Sequence, residues 1–311
     1  MLKWRVISIW ILVWLNGCHH STFTHELVVS AAPGDYTFKK SRLPPYNQIS
    51  IRGTINVKLY TDTAHPRLTV TGNHYDLQHL QIKVIQHVLV VTHDKKYPQH
   101  APIAISIHLP ILNAFTYLGA GTIKGYGIHT HNLILNLNNS GMTTLNGQIN
   151  LQRLNVSGFG DVKINGVSAY NLQIFMRDRP NIRIYGHAIN IDKLILCGNG
   201  SLILYHIQNT RLMIRAHDQV KLLLAGHTNV LDLELWGNAR FNGRYLYADR
   251  IFAKTHDHAV VGINASKIQH TLASDASDIY FYNLPGLRTD FMAHNGAVLD
   301  MRNWNLVDTT R

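Results

Sequence analysis

From residue 112 to about residue 303 the hydrophobic positions of this chain return every 18 to 22 residues. Two columns emerge when the repeats are aligned. One runs Leu135, Leu154, Leu172, Leu194, Leu212, Leu233, Ile251, Leu272, Phe291; the other runs Ile123, Thr143, Val162, Ile182, Leu202, Val220, Phe241, Val260, Ile279, Val298. Polar corners such as Asn139-Ser140-Gly141, Gly158-Phe159-Gly160-Asp161, Asp178-Arg179-Pro180-Asn181 and Gly198-Asn199-Gly200-Ser201 separate the columns. Self-similarity at a fixed period of this length predicts a solenoid. Around each anchor the apolar residues alternate, as in Leu154 with Val156 and Ile182 with Ile184, which is the period of a strand with one buried face. Glutamate, a good helix former, occurs only at Glu26 and Glu234, and no run of ten or more residues carries a helical period. A weaker third apolar position (Ile149, Val167, Ile189, Ile207, Leu246) completes a coil of about 20 residues. Coils stacked at the strand spacing predict an all-β fold: a parallel β-helix of about nine coils, roughly 40 to 45 Å long. The six-residue beat of a left-handed hexapeptide helix is absent, so the expected hand is right.

Residues 47–111 alternate in the same way, in Ile49-Ile51, Ile55-Val57-Leu59, Leu68-Val70, Leu80-Ile82-Val84 and Ile103-Ile105-Ile107, but at irregular spacing. This predicts a β lead-in that caps the exposed edge of the first coil rather than further regular coils. Residues 18–46, with Pro44-Pro45, read as a tether, and residues 304–311 as a short tail.

Residues 1–17 place Lys3 and Arg5 ahead of an apolar run from Val6 to Leu15, too short to span a bilayer and in keeping with a secretory signal. The run ends in Leu15-Asn16-Gly17-Cys18, which resembles the lipobox of bacterial lipoproteins, with Asn16 a departure from the usual residue there. That resemblance implies acylation of Cys18, attachment to membrane through the lipidated N-terminus and, with His19 rather than Asp next, sorting to the outer membrane of the bacterial envelope. The remaining cysteine, Cys197, has no partner for an intramolecular disulfide and reads as structural.

The sequences "NQISIRGTINVKLY", "IAISIHLPILNAFTYLGAGTIKG", "LNLNNSGMTTLNGQ" and "LNVSGFGDVKING" resemble the auto-transporter adhesin head, or GIN domain, family. Ile107-His108-Leu109-Pro110-Ile111-Leu112 matches that family's lead-in run, and Leu118-Gly119-Ala120-Gly121 and Ser157-Gly158-Phe159-Gly160 match its small-residue corners. The resemblance covers about residues 46 to 168. It implies an exported, often lipid-anchored β-helix used as a binding or structural surface, with no catalytic residues and no cofactor.

Charge adds a candidate site. The formal charge of +11 becomes +9 without Lys3 and Arg5. Outward residues of the second column include Lys124, Lys163, Arg183 and Lys221, interrupted by Thr144 and Ile203, and stacking predicts a basic stripe. Such a stripe attracts lipopolysaccharide phosphates, acidic glycans or other polyanions through its field; aromatic stacking positions of a nucleic-acid module are not evident. A second expectation is an apolar outward patch in the later coils (Ile195, Met213, Phe252, Val261, Tyr280, Met292), suited to self-association or to docking an envelope protein. The 20 histidines, including His129-x-His131 and His256-x-His258, lack the convergent set of a metal centre, so no metal site is expected. The rival reading is a carbohydrate-active β-helix enzyme, a polysaccharide lyase or glycosidase. Glycosidase chemistry needs two facing carboxylates, and Asp161, Asp218 and Asp257 fall at coil corners without an obvious partner.

Overall fold

The computed structural model describes residues 36–40, 43–94, 96–282 and 284–302; Cys18, most of the tether and the tail lie outside them. Alternation becomes architecture most plainly in β11 (Asp161–Met176), where Val162, Ile164, Val167, Ala169, Leu172, Ile174 and Met176 are buried. Inward alternation breaks twice along the strand, once at Asn165-Gly166 and once at Tyr170-Asn171. Those breaks are bends, and they divide the coil into three sides. The same plan holds in β9 (Ile123–Asn139), β10 (Thr143–Ser157), β12 (Asn181–Leu196), β13 (Ser201–Ala216), β14 (Lys221–Leu235), β15 (Arg240–Thr255) and β16 (Val260–Ala273). Each pairs in parallel with the next, and shifts in register fall at the bends. β17 (Asp278–Tyr282), β18 (Arg288–Ala293) and β19 (Val298–Arg302) continue the stack as shorter pieces. The fold is a β-solenoid of about nine turns.

Two short strands and a weaker third per coil, as the sequence suggests, are here one ladder that bends without ending. Bulges and left-handed residues permit this. At Gly166, with φ of +78°, a Cβ would run into the carbonyl oxygen of Gly147 on the coil below. The corner between coils is held by a repeated device. Asp178, Asp218 and Asp257 each sit at φ near +60°. Their carboxylates accept the backbone N–H of Gly158, Gly198 and Gly237, one coil earlier, at 2.9, 2.8 and 2.8 Å. Short Asx side chains tolerate the left-handed region and satisfy an N–H that the turn leaves open.

The predicted core row Val162, Ile182, Leu202 is present, each residue the cross-strand partner of the next and all buried. Further along, the two columns slip. Leu222, Val261 and Leu299 take the places assigned to Val220, Val260 and Val298, and Ile174, Ile214, Ala253 and Thr271 those assigned to Leu172, Leu212, Ile251 and Leu272. The cause is local. Val220 occupies the buried corner position that Gly160, Pro180 and Gly200 fill in earlier coils, and its carbonyl accepts the N–H of Arg240 as theirs accept from Asn181, Ser201 and Lys221. An apolar corner and an apolar strand anchor look alike in a sequence.

The lead-in belongs to the ladder. β2 (Gln48–Arg52) lies between β6 (Val88–His93) and β8 (Ala114–Gly119), and β3 (Ile55–Tyr60) between β7 (Ile103–His108) and β9, all in parallel. Reversal comes at the outer edge: β4 (Arg67–Gly72) runs antiparallel to β7 and to β1 (Tyr36–Lys40), and β5 (Leu80–Ile85) antiparallel to β6. A short helix, α1 (His74–Gln78), follows β4, and its buried Asp76 accepts the backbone N–H groups of His100 and Ala101 at 2.9 Å each. Tyr117 seals the junction with the first full coil. Its hydroxyl is buried, accepts the N–H of Gly121 at 2.7 Å and donates to the carbonyl of Ile55 at 2.9 Å.

Candidate functional site

The first side of the coils, the stretch from the corner to the first bend, presents an outer face to which β7, β3, β9, β10, β11, β12 and β13 contribute in that spatial order. Because the pairing is in register, outward residues form straight rows. One row reads Ser106, Lys58, Lys124, Thr144, Lys163, Arg183, Ile203. Lys58 and Lys124 are direct cross-strand neighbours, as are Lys163 and Arg183, and all four side chains are exposed. Among the described residues none of the four has a carboxylate within ion-pairing distance. Lys163 instead lies 5.7 Å from the ring centre of Tyr185, a cation–π contact.

A second row runs beside the first, two residues further along each strand. It holds His108, Tyr60, Tyr126, Asn146, Asn165 and Tyr185, followed by Tyr205. The rings stack on one another along the solenoid axis: Tyr60 on His108 at 4.4 Å between centroids and 7° between planes, Tyr60 on Tyr126 at 5.4 Å and 20°, and Tyr185 with Tyr205 at 6.1 Å and 27°. Between the aromatic groups, the Asn165 amide donates to Asn146 Oδ1 at 2.6 Å. Two carboxylates border the face and both are engaged. Asp161 accepts from the Asn181 amide at 2.9 Å. Asp62 accepts from His108 Nδ1 at 2.9 Å, and that hydrogen bond, with the charges of His108 and Arg67, holds its carboxyl below the usual range despite some desolvation.

Three of the four stripe residues read from the sequence lie in this row, and Lys221 does not. Once Leu222 is the inward residue, Leu223 continues the row from Ile203, and Lys221 falls in the neighbouring row between Ser201 and Arg240. Lys58 and the aromatic row escaped the sequence reading. Lys58, Tyr60 and His108 come from the lead-in, whose spacing is irregular, and only pairing with β9 shows that they share a face with Lys124, while Tyr126, Tyr185 and Tyr205 lie in the coils and are aligned by register and stacking.

The apolar patch expected in later coils is not assembled. Val261 is a core residue between Phe241 and Ile279, and Tyr280 is outward on the first side, with Gly262 and Asp300. The others divide between two rows of the third side, the stretch from the second bend to the corner. Ile195 and Met292 share a row with Arg215, Glu234 and Lys254; Met213 and Phe252 share one with Asp232 and His270. The slip of two residues in the aligned column had merged these rows. Charges fill the ground between the apolar groups: Arg211 and Arg215 reach Asp232 at 3.3 and 3.1 Å, and Arg215 reaches Glu234 at 3.3 Å. Beside them His217, Trp236 and His256 form a ring stack at 4.2 and 5.4 Å, and Phe252 stacks on His270. Earlier on the third side, Asn136, Asn155, Phe175, Ile195 and Cys197 line a shallow groove of about 710 Å³. Cys197 is half-buried, with its Sγ 3.5 Å from the carbonyl oxygen of Met176. His129 and His131 are exposed on the second side, and His256 is committed to the ring stack.

The in-register β-solenoid thus presents an outer face of cations without ion-pair partners among the described residues, beside hydroxyl, imidazole and amide groups. Residues 45–187, which include most of that face, match the family described as "Putative auto-transporter adhesin, head GIN domain", as the resemblance in the sequence implied. Among solved structures, the chain is similar to a putative lipid binding protein from Parabacteroides distasonis, at 14% identity over 87% of this chain and 98% of that one, TM-score 0.47. It is also similar to a putative adhesin from Parabacteroides merdae (10% identity, 87% and 97% covered, TM-score 0.45) and to one from Bacteroides fragilis (15%, 88% and 98%, TM-score 0.36). No curated protein matches the chain.

Proposed function

We propose that this protein is a non-catalytic binding protein of the bacterial cell envelope, anchored to the outer membrane through an acylated Cys18, with the first-side face of its solenoid as the surface that captures a polyanion. One observation carries the reading. Lys58, Lys124, Lys163 and Arg183 stand in a single row as two adjacent like-charged pairs, with no carboxylate among the described residues to balance them. Like charges directly opposite on a sheet oppose folding, so the row has no stabilising role to account for it. An anionic partner supplies one. The match of residues 45–187 to an adhesin-head family supports a binding role at the envelope. Of the corner aspartates weighed for a carbohydrate-active enzyme, which needs a facing pair, Asp218 and Asp257 accept backbone N–H groups of the preceding coil and Asp161 accepts the Asn181 amide.

The test is a salt titration of polyanion binding. Wild-type protein should bind inorganic polyphosphate with an affinity that falls steeply as salt rises past about 0.1 M, where exposed charges are screened beyond roughly 10 Å. The variant with Lys58, Lys124, Lys163 and Arg183 all changed to Gln should lose that binding while keeping its circular dichroism. Equal binding by both proteins would overturn the reading of this face. The anchor is tested separately: radiolabelled palmitate should enter wild type and not Cys18→Ala.

A further inference from the structure

We infer that the partner of the first-side face is an acidic polysaccharide, a chain of sugars bearing carboxylate or sulfate groups, lying along the solenoid axis. The inference rests on the reading of that face as a polyanion site and adds what kind of polyanion it is. From Lys58 to Arg183 the cation row crosses four strand spacings, roughly 19 Å, in a straight line on an exposed sheet face. A partner that meets every cation is therefore extended and linear. It carries negative charge along its length and comes close enough for the neighbouring row to touch it as well.

The neighbouring row distinguishes the polymer classes. Nucleic acid held on a protein surface places its bases against flat, free aromatic faces. Here Tyr60 is covered on one face by His108 and on the other by Tyr126, and Tyr185 carries Lys163 and stands next to Tyr205. Rings stacked along the axis turn their edges and phenol groups outward. The hydroxyls of Tyr126 and Tyr185 make no hydrogen bond with the described residues, and both side chains are exposed, 41% and 36%. With the Asn146 and Asn165 amides between them, the row offers hydrogen-bond donors and acceptors at the strand spacing, about the length of one sugar unit in an extended chain. Polyphosphate brings only acceptor oxygens, which take the phenol and amide protons but offer no donor to the acceptor oxygens of the row. A polysaccharide with acid groups has both parts: anions for the lysines and arginine, and hydroxyls for the phenols and amides.

The experiment compares three polymers on the full chain by isothermal titration calorimetry: polygalacturonate, polyphosphate of similar charge, and neutral dextran. The double variant Tyr126→Phe with Tyr185→Phe keeps the rings and removes only the two hydroxyls. Wild type should bind polygalacturonate more tightly than polyphosphate and should not bind dextran. The double variant should lose roughly five- to tenfold in polygalacturonate affinity, the weight of two hydrogen bonds, and lose less in polyphosphate affinity. If polyphosphate binds as tightly as polygalacturonate, or the double variant binds polygalacturonate like wild type, the sugar inference is overturned and the polyanion reading stands. If neither polyanion binds, both fall. Binding of dextran as tight as polygalacturonate would overturn the role of charge.

Discussion

Two faces of this solenoid carry arginine and lysine in quantity and treat them in opposite ways. On the first side, between β3 and β12, four exposed cations stand with no carboxylate among the described residues in ion-pairing reach, two and two as immediate neighbours. On the third side, between β13 and β15, Arg211, Arg215, Asp232, Glu234 and His256 are joined in one chain of contacts between 3.1 and 3.5 Å. The coil geometry is the same in both places, so the ladder does not dictate the difference. Mutually neutralised charges on a half-buried face tie coil to coil, whereas an unbalanced row on an open face leaves a field for something outside the molecule. The contrast, more than the total charge of +11, is what supports the proposed polyanion surface.

The comparison depends on both faces standing on one continuous core, and the largest expected effect is a break in that core. Ile182 is fully buried beneath the cation row, next to Arg183. Ile182→Asp places an uncompensated carboxylate there and should cost several kcal/mol, about 3 to 5. Urea denaturation measures the loss; wild-type stability in the variant would show this register to be wrong. Because coils touch only their neighbours, the network on β13 to β15 should keep more of its hydrogen-exchange protection than β11 and β12 do.

A smaller effect should separate the two faces directly. Asp232→Asn takes the shared carboxylate from Arg211 and Arg215, whose side chains are 64% and 28% exposed, and should cost about 1 kcal/mol after allowance for solvent screening. Lys124→Gln, which removes one of two adjacent like charges, should leave stability unchanged or raise it by a few tenths of a kcal/mol. Urea midpoints of the two variants that moved equally would erase the distinction between the faces.

The mildest test concerns acid. Burial alone would push the Asp76 carboxyl upward, but the N–H groups of His100 and Ala101, with the His100 ring, outweigh that and leave it below the usual carboxylate range. A lowered folded value means that Asp76 contributes its full stabilisation above the unfolded value, near pH 4, and loses it as the pH falls through the folded value. The protection factors of the His100 and Ala101 amides should therefore fall below about pH 4. The amides of Lys124 and Lys163, on strands whose cation row has no carboxylate within ion-pairing distance among the described residues, should hold their protection there.

Much of this molecule was open to reading from its residues alone. The coil period, the strand alternation, the burial of Val162, Ile182 and Leu202 and the turn-forming aspartates all follow from local rules, because each coil repeats the same short-range problem. Rows are another matter. Which outward residues stand next to each other is set by register, and register depends on where each coil absorbs its extra or missing residues. Val220 at a corner mimics Leu222 on a strand, and that ambiguity misplaced Lys221 in the stripe; a separate two-residue slip, Leu212 for Ile214 and Ile251 for Ala253, merged Met213 and Phe252 with Ile195. Lys58 and Tyr60 lie more than sixty positions from Lys124 and Tyr126 and have no periodic relation to them; pairing of β3 with β9 alone makes them neighbours. The period and the inward face came from the sequence, since hydrophobic burial selects them residue by residue. The make-up of the outer rows was decided by the tertiary stack, since hydrogen-bond register across coils is a long-range property that no local pattern encodes.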